Sequence, residues 1–264
     1  MKYFIDTEFF EDFHKPLFGK KRHFIDLISI GIVAEDGREY YAISKDFDLE
    51  KVWNKYDLKP DISNGGVKKV YWIRENVLKP IFSELLQREV ELIVKAGKLG
   101  TVYDTPYSPT FCYKTLKELF KRHGKSNKQI AEEIIQFVYN DVYKNFVGEE
   151  KEFHSRTKEY GWNTDTPIEF YGYYADYDWC LFCSLFGRMI DLPKGFPMYM
   201  RDLKQTLDEK AMAYFEGVNP GGENFNDRLW CIKNHPNYPK QENEHSALHD
   251  ARWNKELHEF LNKI

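Results

Sequence analysis

Two carboxylates separated by a single residue, Asp6 and Glu8, stand near the start of the chain in the run KYFIDTEFFED. Residues 2–7 are a short apolar run ending in acid and read as a strand. Side chains at i and i+2 of a strand face the same way, so both carboxylates project together, and they repel unless a cation sits between them. The pair alone is a weak signal: a solvated strand end carries such pairs, and Asp48-Leu49-Glu50 repeats the spacing where it reads only as a helix start. Asp178 follows the stretch PIEFYGYY, residues 167–174, and opens the helical run WCLFCSLFGRMI. It therefore falls at a strand's carboxyl end, where α/β proteins build sites. The competing reading is a helix cap, with Asp176 as its rival for any functional role. His245-Ser246-Ala247-Leu248-His249-Asp250 is the strongest local pattern. It places an imidazole at the start of the last helix and a carboxylate about one and a half turns along it, with Ala247 leaving room for a neighbouring element to come close. A capped surface helix with a stray histidine is the bland alternative. Together the three places offer four carboxylates and one imidazole. Hard divalent cations such as Mg²⁺ and Mn²⁺ prefer oxygen ligands. Four carboxylates can hold two such ions about 3.5–4 Å apart, the arrangement of two-metal phosphodiester cleavage.

The elements that must position these groups follow from patterning. Residues 24–34 (FIDLISIGIVA) are rich in β-branched residues with little alternation, which suits a central strand. Asp36-Gly37 supplies a tight turn, and residues 39–44 return as a third strand. Asp48 caps a short helix, and residues 71–93 read as helical with a break or kink at Pro80. Residues 82–125 read as an insertion with a short helix near 113–123. An amphipathic helix follows Ser126, and a fourth strand spans 167–174. Residues 209–243 hold Gly, Pro and Asn clusters and read as a long loop before a helix from about Ala247 to Lys263. The order predicts one α/β domain over residues 1–264 with a mixed sheet.

Bulk properties narrow the partners. Of 264 residues, 42% are hydrophobic and 30% charged, and the net charge is −4, so contact with nucleic acid should be local, at a chain end, rather than through a basic face. The opening MKYFIDTEFFED does not resemble a signal peptide, and no apolar run approaches the roughly 18 residues that span a membrane. Four cysteines are few for a disulfide scaffold, which points to a reducing, cytoplasmic location. Cys180 and Cys183 lie inside an apolar run, as buried cysteines do, and a zinc site with Cys231 and His235 is the lesser reading.

The set DTE, ADYD and HSALHD resembles the three motifs of the DEDDh exonuclease superfamily, whose last motif reads HxAxxD. DTEFFED, FIDLISIGIVAEDGREYYAISKDFD, WIRENVLKP and the segment from Phe170 to about Leu207 further resemble the ribonuclease AS group of polyadenylate-preferring exoribonucleases. The resemblance covers roughly residues 1–80, 126–208 and 244–262. It implies a ribonuclease-H-like fold, a homodimer, and a two-metal 3′→5′ exoribonuclease that releases nucleoside 5′-monophosphates from single-stranded RNA. By the same resemblance Asp6 bridges two Mg²⁺ or Mn²⁺ ions. Glu8 and Asp250 hold the ion that activates water, Asp178 helps hold the second, and His245 is the general base. Phe9 or Phe10 would stack on the terminal base, and Glu11 would meet a ribose hydroxyl. Two rivals remain: a phosphodiesterase for DNA or for short or signalling oligonucleotides, and a catalytically silent RNA-binding module.

Overall fold

The computed structural model describes residues 1–14, 18–63, 65–95, 109–144, 167–216 and 225–264. A five-stranded sheet runs in the order β3-β2-β1-β6-β7. Its strands are β1 (Lys2–His14), β2 (Arg22–Ala34), β3 (Glu39–Ile43), β6 (Glu169–Gly172) and β7 (Arg201–Asp202). The first three form the expected meander. Glu35 N–H donates to Lys2 O at one end of β1, while the Phe10 ring meets Phe24 and Phe13 meets His23 towards the other, so β1 and β2 run antiparallel. Gly37 turns the next hairpin at φ 88°, a conformation glycine enters without steric cost.

Beside this meander, β6 runs parallel to β1, in the register Tyr3↔Phe170 and Phe4↔Tyr171, and β7 runs parallel to β6, with Gly172 opposite Asp202. The sheet is thus mixed, with helices packed on it, in the α/β, ribonuclease-H-like arrangement expected. Parallel pairing sets the carboxyl ends of β6 and β7 side by side, with Gly172 against Ile5 inside β1, which runs on past Asp6 and Glu8 to His14. Residues leaving those ends can meet β1 there.

By their contacts the residues fall into two compact units, one of Met1–Thr7, Ser29–Tyr41 and Lys128–Ile264, the other of Glu8–Ile28 and Ala42–Asn127. In the first unit, Tyr3, Phe4 and Ile5 are all buried because both faces of β1 are covered. On one face Phe4 and Tyr171 join Leu203 and Leu207 of α6 (Leu203–Glu216) and Leu257 and Phe260 of α8 (Ala247–Leu261). On the other, Tyr3 Oη donates to Val138 O of α4 (Asn127–Lys144), and Phe170 packs on Phe182 of α5 (Asp176–Phe186). A Cβ on Gly31 of β2 would lie 2.3 Å from Ala247 O, so only glycine lets the start of α8 press this closely on the sheet. The room expected beside Ala247 is taken by that strand. Asn254 Nδ2 donates to Ile5 O (2.9 Å, buried), which pins α8 to β1 one residue before Asp6.

The second unit holds α1 (Leu49–Asn54), capped by Asp48 accepting from Lys51 N–H, and α3 (Tyr113–His123), where the short helix was expected. Around Pro80 the helical run does not break. It opens a π turn at Arg74–Leu78, with Lys79 N–H reaching Arg74 O, and continues as α2 (Lys79–Lys95). A wider turn relieves the bond that proline cannot make and the clash of its ring. Arg122 and His123 of α3 both reach Glu89 of α2, at 2.7 and 2.6 Å.

Several stretches differ from the sequence reading: β1, expected over residues 2–7, runs on to His14, and the short β7 was not expected. A hairpin of β4 (Asp57–Asp61) and β5 (Gly66–Val70) lies where no strand was expected, because its residues are nearly all exposed and show no apolar face to read. The stretch 209–243, expected as a long loop, includes most of α6 and α7 (Phe225–Lys233), while its Gly- and Asn-rich centre, 217–224, lies outside the described residues. Both helices bury apolar residues, Ala211 and Ile232 among them, against α8, so packing overrides a weak local signal.

Candidate active site

Asp6, Glu8 and Asp250 each offer a carboxylate oxygen, and these three atoms lie within 4.8 Å of one another. Asp6 is half-buried, while Glu8 and Asp250 are buried at 9% and 6% exposure. The strand alternation that put Asp6 and Glu8 on one side is therefore realised, and the packing of α8 against Gly31 and Ile5 brings Asp250 to them.

Asp250 is held at both oxygens. His245 N–H donates to Oδ2 (2.9 Å) and Gln241 Nε2 to Oδ1 (2.6 Å). His245 reaches this position with a left-handed backbone, φ 67°. Burial pushes the Asp250 carboxyl above its ordinary range, against the opposing pull of these two hydrogen bonds.

Asp178 lies outside the group of three but is tied to the same strand. Its Oδ1 accepts from Thr7 N–H (2.9 Å) and Thr7 Oγ1 (2.5 Å), the residue between Asp6 and Glu8. Burial pushes its carboxyl up to about 7; the Thr7 bonds oppose this, and the charges of Asp202 and Asp250 add to it. Asp176, its rival, is exposed in the first turn of α5, so the helix turns Asp178 rather than Asp176 towards the strand.

The expected substrate contacts divide. Phe10 is fully buried against Phe24, with the Lys51 ammonium 5.6 Å from its ring, so it has no face to offer a base. That corrects the expectation for Phe10: it lies in the core of its unit. Phe9 is half-buried, and Glu11 is exposed and meets His23 at 3.2 Å. Cys183 is buried and its thiol is pushed up to about 11 by that burial, as befits a small apolar side chain, whereas Cys180 is exposed, which corrects the expectation for it.

Sequence reasoning missed Thr7, Gln241 and Asp202. Thr7 carried a signal, since a hydroxyl between two carboxylates faces the opposite side of the strand from them. Gln241 and Asp202 carried none. Asp202 accepts from Tyr174 N–H (3.3 Å) and Lys204 N–H (2.7 Å) at the end of β7.

Buried, like-charged carboxylates gathered this closely are costly unless a cation joins them. The donor set is all oxygen and partly shielded from water, and it fits hard divalent cations. Fold and site together define an α/β protein of ribonuclease-H-like arrangement with a cluster of carboxylates from β1 and α8 that is able to hold a metal ion. No protein-family model matches the chain. It is similar to the 3′-5′ exoribonuclease of Mycobacterium tuberculosis in each of two strains, with 28% identity over 211 residues, covering 80% of this chain and 76% of each relative. Among the described residues no helix is long and apolar enough to cross a membrane.

Proposed function

We propose that this chain is a 3′→5′ exoribonuclease that removes nucleoside 5′-monophosphates one at a time from single-stranded RNA. The observation that carries this reading is the gathering of Asp6, Glu8 and Asp250 from two distant parts of the sequence into one buried oxygen cluster. The similarity to the mycobacterial exoribonucleases supports the substrate and the direction. In this reading Asp6, Glu8, Asp250 and Asp178 would hold two divalent cations, Mg²⁺ or Mn²⁺. When bound, such ions neutralise charge on the phosphate and ease loss of a proton from water.

The chain's own residues then do the following. His245 takes the proton from the attacking water, imidazole being the side chain whose ordinary pKa lies nearest neutrality. Water oxygen bonds to the last phosphorus, the bond to the preceding 3′ oxygen breaks, and that oxygen collects a proton from solvent. The His245 backbone N–H on Asp250 Oδ2 couples the base to the carboxylate cluster. Thr7 orients Asp178 through two hydrogen bonds, which fixes the fourth carboxylate relative to the strand. Adenylate preference, a homodimeric state and a cytoplasmic location belong to the same reading and rest on the resemblance to the ribonuclease AS group.

The test uses single strands labelled at one end or the other. A 3′ label should leave at once as a mononucleotide, while a 5′ label should persist on a shortening ladder. Oligo(A) should be consumed faster than oligo(U), and DNA more slowly than either. A 5′ label released first, or cleavage undiminished in EDTA, would sink the proposal.

A further inference from the structure

Among the described residues, three that are not glycine hold a left-handed backbone: Tyr174 (φ 55°), Asn243 (φ 53°) and His245 (φ 67°). All three flank the carboxylates, Tyr174 four residues before Asp178 and the others shortly before Asp250. Asparagine tolerates this conformation, and His245 has a role in the reaction proposed above. For a bulky aromatic residue the conformation is a genuine outlier, and such strain persists where function requires the side chain.

Nothing in the packing of Tyr174 explains why a tyrosine stands there. Its ring is 64% exposed. Its hydroxyl makes no hydrogen bond among the described residues. The turn into α5 needs only a left-handed residue, which glycine supplies at less cost. Yet the ring is held in place. The Tyr174 N–H is anchored on Asp202 Oδ1 (3.3 Å), and Asp202 is near enough to Asp178 for their charges to interact. The ring meets Tyr173 edge-on (centroids 4.9 Å apart, 71°), and Tyr173 in turn meets Trp253, three residues beyond Asp250 on α8 (5.0 Å, 80°). The Lys204 ammonium, paired with Asp208, lies 5.8 Å from the Tyr174 ring centroid and helps to steady the ring. An exposed, fixed aromatic face beside the carboxylate cluster matches the chemistry of a nucleobase.

We propose that Tyr174 is a stacking platform for a nucleobase of the strand gripped at the carboxylates, with its backbone strain retained for the sake of that ring. The inference rests on the exoribonuclease reading. Stacking of this kind acts on the bound strand before and during reaction alike, so its loss should raise KM and leave kcat nearly alone. Removing one base–aromatic contact weakens binding about 5- to 150-fold.

The experiment compares wild type with Tyr174→Gly, Tyr174→Asn and Tyr174→Phe, measuring kcat and KM on 5′-labelled oligo(A) with Mg²⁺ and thermal unfolding without substrate. Glycine and asparagine both accept the left-handed backbone, so either can report if the other folds poorly. The expected result is a KM at least about 5-fold higher for both, with kcat within about twofold. Tm should rise by about 2–4 °C for glycine as the strain is relieved. Tyr174→Phe should keep the wild-type KM. An unchanged KM in the glycine and asparagine variants, with wild type active, overturns the stacking role and leaves the exoribonuclease reading standing. A KM rise accompanied by a lower Tm in both would mark Tyr174 as merely structural and also overturn it. If wild type shortens no single strand, the exoribonuclease reading falls and this inference with it.

Discussion

Replacing Asp178 by asparagine should make the cation-free protein more stable while abolishing its activity. The Asp178 side chain is 5% exposed, and burial lifts its carboxyl from an ordinary 3.8 to about 7. A raised carboxyl pKa means that the folded protein binds the proton more tightly than the unfolded chain. The stabilising contribution is therefore complete below the unfolded value and is lost as pH rises through about 7. Each unit corresponds to ~1.36 kcal/mol, so the ionised carboxylate destabilises the fold by up to about 4 kcal/mol at alkaline pH. Allowing for the share carried by the Asp202 and Asp250 charges, we expect Asp178→Asn to gain about 2–4 kcal/mol at about pH 8 in EDTA. The amide oxygen can still accept from Thr7 N–H and Oγ1, so the local geometry is kept. Thermal unfolding should show a gain of roughly 5–15 °C at about pH 8, shrinking towards zero below about pH 4. Excess Mn²⁺ should stabilise wild type and close the gap. A variant less stable than wild type at alkaline pH in EDTA, or a gain of equal size at both pH values, would refute the reasoning.

Two further perturbations test how the cluster is built. Gly31→Ala places a methyl 2.3 Å from Ala247 O, so α8 must lift from β2. The cost should be about 1–3 kcal/mol by denaturant unfolding, with activity falling more steeply than stability because Asp250 moves with the helix. Gln241→Ala removes the donor on Asp250 Oδ1 and should lower Mn²⁺ affinity about 10-fold by calorimetry, with little change in Tm measured in EDTA. An unaltered affinity would assign Gln241 to loop structure alone.

The gathering of Asp6, Glu8 and Asp250 was more legible in the sequence than the scaffold. Asp6 and Glu8 follow the two-residue period of a strand, so that signal is local and survives without knowledge of the fold, whereas His245 stands before the helix in a left-handed turn and meets Asp250 through its backbone N–H, not through the helical turn that its spacing suggested. The choice of Asp178 over Asp176 was not local, for it depends on which side of α5 meets Thr7. Gln241 was invisible because it acts through one hydrogen bond from a polar stretch that looks like any connector. Tyr174 was invisible because backbone strain leaves no trace in residue type. The β4–β5 hairpin escaped notice since Lys59 and Lys68 face each other across it and neither face is buried. Phe10 shows the opposite failure. Its position beside the motif suggested a substrate contact, but the strand turns its ring into the core.

The account stands most directly on one paired measurement, made on wild type and on Asp6→Asn. Mn²⁺ binding is followed by calorimetry, and shortening of 5′-labelled oligo(A) is followed in the same buffer. Wild type should bind the ion and shorten the strand from its 3′ end, and Asp6→Asn should lose both together while unfolding cooperatively. Retained cleavage in Asp6→Asn, or cleavage by wild type that persists in EDTA, would contradict the claim that this carboxylate cluster is the catalytic centre.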